Sequence, residues 1–252
     1  MAAQTTRAAL FLSLFAASLA APRPWAGDPV LLELATRLEA FQVVTSAQDV
    51  STLDALVSDG LAVLDASTYT FTDIDYLSEN PAFWAASNHT ARARAFATAL
   101  ISPASASFNS SSLRRTAVGV LGWWLAHRPV SVNWWFRQIS IPGYLAPTAL
   151  ILWDELSPAA VANLSLIMDA VTTAGFTGAN LVWLSTNVLW RGVLEGNRTA
   201  AGAAVGLAFT TLSIAEGAAE GIKADGSFFQ HGAQVSSKPR GCPPLAAPLC
   251  PP

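Results

Sequence analysis

The sequence predicts an all-α domain, and three observations carry that reading. Apolar residues recur at three- and four-residue steps over long stretches, as one buried face of a helix requires. Strand-like alternation is scarce before Gly221–Gln230. With 52% hydrophobic and 12% charged residues in 252 positions, there is ample material for one large core or two small ones. The same composition excludes a disordered chain, which would be poor in apolar residues and rich in charge. Fourteen basic residues scattered over a chain of net charge −3 also exclude a dedicated nucleic-acid binder, because phosphate recognition needs clustered Lys and Arg.

Residues 1–21 read as a secretory signal peptide. Arg7 precedes an apolar run from Ala8 to Leu19, and Ser18-Leu19-Ala20 offers small residues for cleavage. The run is short for a bilayer span, and a buried N-terminal helix is the alternative. The expected location is therefore extracellular. Sequons at Asn88, Asn109, Asn163 and Asn197 are compatible with export and permit glycosylation without requiring it.

Residues 22–234 form the predicted domain. Leu31, Leu34, Leu38 and Phe41 open a helical pattern that lasts to about Leu64. Leu113, Ala117, Val120, Leu121 and Trp124 repeat it, as do Val161, Leu164, Ile167, Met168 and Val171. Ser157-Pro158 marks a helix start, with Ser as N-cap and Pro at the first helical position. Gly, Pro, Ser and Asn clusters near 78–82, 102–112, 140–147 and 174–180 are read as breaks, which leaves seven or eight helices. Thr199 to Ala215 carries no charge. It is rich in small residues and too short to cross a membrane, so it reads as a buried helix in a domain without transmembrane segments.

Residues 235–252 are read as an irregular tail. Six of these eighteen residues are proline, which blocks helices and central strands. Both cysteines lie here, and a Cys242–Cys250 disulfide suits a secreted protein. Neither histidine nor a C-x-x-C spacing accompanies them, so no metal site is expected.

Three stretches invite a chemical reading. In Asn133-Trp134-Trp135-Phe136-Arg137, consecutive tryptophans form either a core contact through Trp134 with Trp135 covering a surface, or a platform on which sugar rings stack. In Gly175-Phe176-Thr177-Gly178-Ala179-Asn180, Asn180 either caps a helix or presents its amide to an anion near the positive end of the helix dipole. In Asp225-Gly226-Ser227-Phe228-Phe229-Gln230-His231, a turn leads into an aromatic run that ends on the side chain best suited to proton transfer near neutral pH.

Together with Trp123-Trp124 and Ile141-Pro142, these three motifs resemble the N-terminal α-domain of polysaccharide lyase family 8, which includes hyaluronate, chondroitin AC and xanthan lyases. The likeness is specific over about residues 110–234. It implies an incomplete α/α toroid of helical hairpins with a cleft for an acidic, uronic-acid-containing polysaccharide, cleaved by β-elimination without metal or organic cofactor. It also implies roles. Asn180 neutralises the uronate carboxylate and His231 assists removal of the C5 proton. Trp134, Trp135 and Phe176 form the aromatic patch that positions the chain, with Asn133 and Arg137 as neighbouring substrate contacts. Arg191 and Lys223 join Arg137 as possible sources of a locally basic cleft, although surface solvation accounts for them equally well.

The resemblance stops after Gln234. Where the family places a tyrosine nine residues beyond the histidine, this sequence has Arg240, and the family's later arginine and glutamate have no counterpart. The expectation is a truncated lyase, inactive or impaired as written. A carbohydrate-binding pseudoenzyme is the first alternative. A glycoside hydrolase is the second, with Asp154, Glu155, Glu195 and Asp225 as candidates for the two carboxylates, about 5–9.5 Å apart, that hydrolysis needs.

Overall fold

The computed structural model describes residues 20–217 and 219–229, and the backbone of Val235–Ser236. Residues 1–19, most of the tail, Cys242, Cys250 and His231 lie outside that range. The described residues hold eight α-helices: α1 (Pro29–Ala40), α2 (Ala47–Ala62), α3 (Ser87–Ile101), α4 (Ser111–His127), α5 (Ile141–Ile151), α6 (Pro158–Met168), α7 (Gly178–Leu194) and α8 (Arg198–Thr210).

Local chemistry starts most of them. Asp28 accepts from the Val30 and Leu31 amides ahead of α1, with Pro29 in the first turn. Ser46, Ser110 and Ser157 cap α2, α4 and α6 in the same way, and Asn197 caps α8. Helix α4 ends on Arg128 in the left-handed conformation (φ 47°, ψ 59°), whose amide bonds Trp124 O.

The helices alternate between two layers. Helices α3, α5 and α7 pack side by side, with α1 against α5 and α7. Outside them α4 lies beside α6, while α4 also packs on α3 and α8 returns along α7. The inner layer carries the core: nine of the fifteen residues of α3 and ten of the eleven of α5 are buried. The outer α6 buries only Leu164 and Met168. This is an all-α domain, as the periodicity predicts, and an incomplete α/α toroid of helical hairpins, as the resemblance implies. Its layers sit close where Gly192 of α7 faces α8, since a Cβ there would lie 2.6 Å from the Ala201 amide nitrogen.

Three expectations change. The break read at 140–147 is helix α5. Pro142 sits in its first turn, where no donor is needed, and Pro147 is carried inside a helix buried on nearly every side. The apolar Thr199–Ala215 stretch is helical to Thr210, but α8 buries only Ala201 and Ala204, and Phe209, Leu212 and Ile214 are exposed. Among the described residues no helix is long and apolar enough to cross a membrane. Finally, the tail enters a sheet at its start. Strands β3 (Gly221–Ile222), β4 (Phe228–Phe229) and β5 (Val235–Ser236) follow a short hairpin, β1 (Leu64–Asp65) with β2 (Thr70–Phe71), and β4 pairs antiparallel with both β3 and β5.

Candidate functional site

Between α4 and α5 the chain builds a turn from its own side chains. Ser131 Oγ accepts from the Asn133 amide (3.1 Å), and Asn133 Oδ1 accepts from the Trp135 amide (2.9 Å). Asn133 Nδ2 donates to Pro81 O at 2.7 Å, which ties the turn to the segment before α3. Read by resemblance as a substrate contact, Asn133 has its amide engaged in holding the turn.

Residues Phe136–Ser140 then form one π-helical turn that runs into α5. Such a turn leaves backbone carbonyls without their usual helical donors, and π turns recur at functional sites. Here Asn187 of α7 supplies the donor: its Nδ2 bonds both Gln138 O and Ile139 O at 2.9 Å. Gln138 Oε1 in turn accepts from the Thr172 amide (3.2 Å), linking the turn to the loop before α7. Sequence reasoning missed Asn187, and no local pattern marks it.

The π turn sets the two tryptophans apart. Trp135 packs against both the main core and a smaller cluster of Ile139, Val171 and Leu184, whereas Trp134 joins only the smaller one. The reading with Trp134 as the inward ring is thus reversed. Trp134 instead meets Phe176 at 4.8 Å between ring centroids, tilted by 36°, and both rings are half-buried. Phe176 is presented by a turn in which Gly175 takes φ +80°, a conformation that suits glycine.

Helix α7 begins beside this pair. Its N-cap is Thr177, so Asn180 is not the cap. The Thr177 hydroxyl donates to Glu220 Oε2 (2.6 Å) and gives the helix no side-chain cap bond. Asn180 lies one turn before Leu184 on the face that packs against the Trp134–Phe176 cluster. Among the described residues its half-buried amide has no hydrogen-bond partner. Trp183, 37% exposed, is a further ring three residues along the helix that sequence reasoning passed over. Trp134, Trp135 and Phe176 are brought together, Asn180 lies in the first turn of the helix that follows Phe176, and His231 lies outside the described residues.

The expected basic residues divide. Lys223 turns back on its own loop, where Nζ donates to the carbonyls of Ala215 (3.1 Å), Gly217 (2.9 Å) and Ala219 and lies 4.5 Å from the Phe229 ring centre. Arg191 reaches Asp169 (3.7 Å) and Met168 O (3.4 Å). Neither cation is left to serve a cleft. Arg137 is exposed and lines a separate pocket beside Arg128.

The carboxylates suggested for hydrolysis are engaged or remote. Asp154 bonds Arg23, whose guanidinium holds its carboxyl below the usual range, and Glu155 pairs with Arg114 at 3.0 Å. Asp225 accepts from the Ser227 amide and hydroxyl, which lowers its pKa and makes it the turn residue the sequence suggests. Burial raises Glu195, but it stands fifteen residues along α7 from Asn180, roughly 22 Å at helical rise.

Comparison with known proteins agrees with this architecture. Residues 35–238 match the polysaccharide lyase family 8 N-terminal alpha-helical domain, four residues past the point where the sequence reading placed the divergence. A xanthan lyase of Bacillus sp. (strain GL1) is 30% identical over 185 residues, covering 66% of this chain and 20% of the relative. A solved chondroitinase AC lyase, described from its oligosaccharide complexes, aligns with TM-score 0.67 at 22% identity over 81% of this chain and 30% of its own. The Streptomyces coelicolor A3 chondroitin AC lyase in complex with chondroitin sulphate aligns with TM-score 0.65 at 21% identity, again over 81% and 30%. This chain thus spans between a fifth and a third of the length of these relatives. With the family match extending over most of its length, the chain belongs to polysaccharide lyase family 8, as the family's N-terminal α-helical domain.

Proposed function

We propose that this chain is exported and binds an acidic, uronic-acid-containing polysaccharide at the site built from Trp134, Trp135, Phe176 and Asn180, a site laid out for β-elimination. The observation that carries the reading is the half-buried Trp134–Phe176 pair beside the start of α7, where Asn180 presents an amide with no partner among the described residues. Apolar C–H faces of a pyranose stack on such rings. The uronate carboxylate then accepts from Asn180 Nδ2, close to the positive end of the α7 dipole. Neutralising that carboxylate acidifies the C5 proton. His231 receives the proton, the C4–O4 bond breaks, and a C4–C5 double bond forms as the leaving oxygen takes up a proton from solvent water.

The last step is where this sequence departs from its family. Arg240 stands at the position from which a tyrosine would protonate the leaving oxygen, and loss of such a group costs about 10²–10⁴-fold in rate. The chain as given therefore binds more effectively than it cleaves, which favours a carbohydrate-binding role as the second reading. Titrating the full chain with hyaluronan, chondroitin and xanthan, while following ultraviolet absorbance of the unsaturated uronate, separates the two. Binding with slow growth of absorbance supports an impaired lyase, and binding with none supports the pseudoenzyme. Binding that the double variant Trp134→Ala/Phe176→Ala leaves intact refutes the site itself.

A further inference from the structure

A second pocket of about 350 Å³ opens where α4 ends, between the turn at residues 128–131 and helix α6. That is the size of a small-ligand site. Trp134, Trp135, Phe176 and Asn180 take no part in its lining. Trp84 and Trp124 lie at its floor, only 4% and 1% exposed, and Leu166 and Ile167 of α6 form an apolar wall. Its rim carries Arg128 and Arg137, with His127 beside them, and no acidic side chain lines it. Neither guanidinium has an ion pair among the described residues.

We infer that this pocket is a second, non-catalytic subsite for an acidic sugar residue, whose carboxylate is bound by Arg128 and Arg137 and whose ring rests on the apolar wall. The negative end of α4 accounts for His127 and Arg128 at that place. It does not account for Arg137, which arrives from the π turn and brings a second guanidinium to the same opening in a chain of net charge −3. Two unpaired guanidiniums over an apolar wall match an anionic group attached to a ring with apolar faces.

The subsite is joined to the candidate active site by the backbone. Ser131, in its lining, holds the Asn133 amide, and Asn133 holds Trp135. A polymer that engages both places gains avidity without new contacts at either. The inference rests on the reading that the ligand is an acidic polysaccharide, so its test keeps the two apart.

The full chain is titrated by calorimetry with a glucuronate-containing tetrasaccharide and with the same tetrasaccharide after reduction of its carboxyls to alcohols. Four proteins are compared: wild type, Arg128→Gln/Arg137→Gln, Ala170→Trp, which fills the pocket from α6's end, and Trp134→Ala/Phe176→Ala. Wild type is expected to bind two equivalents. Removing both guanidiniums weakens one of them about tenfold or more, and Ala170→Trp abolishes the same one without removing charge. Carboxyl reduction weakens both equivalents in wild type, and in the arginine variant it weakens only the one at Trp134 and Phe176, because the pocket no longer reads the carboxylate. If both pocket variants keep two equivalents at unchanged affinity, or if the Trp134/Phe176 variant removes all binding, the subsite is refuted and the proposed active site stands. If the pocket variants remove all binding while the Trp134/Phe176 variant removes none, the subsite stands and the proposed active site fails. No binding of the tetrasaccharide to wild type overturns both.

Discussion

Two aromatic clusters in this domain use the same residue types to opposite ends. One is closed around the buried His89 of α3: Phe71, Tyr76, Trp84, His89, Trp123 and Trp124 meet edge-to-face or tilted, with Trp84 and Trp124 reaching the pocket at the end of α4. The other is open: Trp134 and Phe176 lie half-buried beside the start of α7. In the closed cluster the polar atoms of His89 and Tyr76 are spent inside the fold. His89, fully buried, donates from Nε2 to Val120 O (2.8 Å), and Nδ1 accepts from the Tyr76 hydroxyl (2.8 Å), which itself accepts from the Phe71 amide (3.0 Å). In the open one the polar work is done beneath the rings, by Asn133 and by Asn187, so that the ring faces stay available. An aromatic patch becomes a platform when hydrogen bonds fix the backbone that carries it.

The largest effect expected from this contrast is on stability. Replacing His89 by Ala removes one hydrogen bond each from the Val120 carbonyl and the Tyr76 hydroxyl and opens a cavity, at a cost of about 3 kcal/mol in chemical denaturation. Polysaccharide affinity of the folded fraction stays at the wild-type value. The same residue gives a pH dependence. Burial lowers the His89 pKa from 6.5 to about 4, so the native state holds it neutral while the unfolded chain takes up a proton at the higher value. Stability is therefore fully present above about pH 6.5 and declines as pH falls towards 4, by about 1.4 kcal/mol per unit. Denaturation curves at several pH values should show this slope in wild type and lose it in His89→Phe. An unchanged slope in the variant would assign the acid sensitivity to other groups.

A smaller loss is expected at the support of the open cluster. Asn187→Leu deprives Gln138 O and Ile139 O of their donor, which costs about 2 kcal/mol. Unlike His89→Ala, it also weakens polysaccharide binding by the folded protein, because the π turn that aims Trp134 loses its brace. Wild-type binding in a destabilised Asn187→Leu protein would show that the platform does not depend on that brace.

What could be read from sequence follows the reach of each interaction. Ser157-Pro158 announces α6 because cap and first turn lie within four residues, and Asp225-Gly226 announces a turn for the same reason. Trp134 and Phe176 stood out by residue type, and Asn180 by its motif. The π turn was hidden because its brace comes from Asn187, about fifty residues on, and nothing periodic links the two. For Lys223 the sequence leaves a cleft and a solvated surface equally open, because residue type reveals a charge and not where the side chain folds; it ends on three carbonyls of its own loop. Helix α8 was misread because apolarity does not say what covers a helix. Its small residues serve the close approach of Ala201 to Gly192, and its outer side is open.

The smallest stability effect belongs to the residue with the largest expected functional one. Asn180 sits in the first turn of α7 with no partner for its amide among the described residues, and Thr177 fills the capping position. Asn180→Ala removes no internal hydrogen bond and introduces a better helix former, so its thermal unfolding should lie within about 0.5 kcal/mol of wild type. If the amide is reserved for a uronate carboxylate, the same substitution weakens binding of a uronate-containing oligosaccharide about tenfold or more. Binding of its carboxyl-reduced analogue should remain unchanged. A marked loss of stability would make Asn180 part of the scaffold, like His89, and equal losses for the two sugars would deny it the carboxylate.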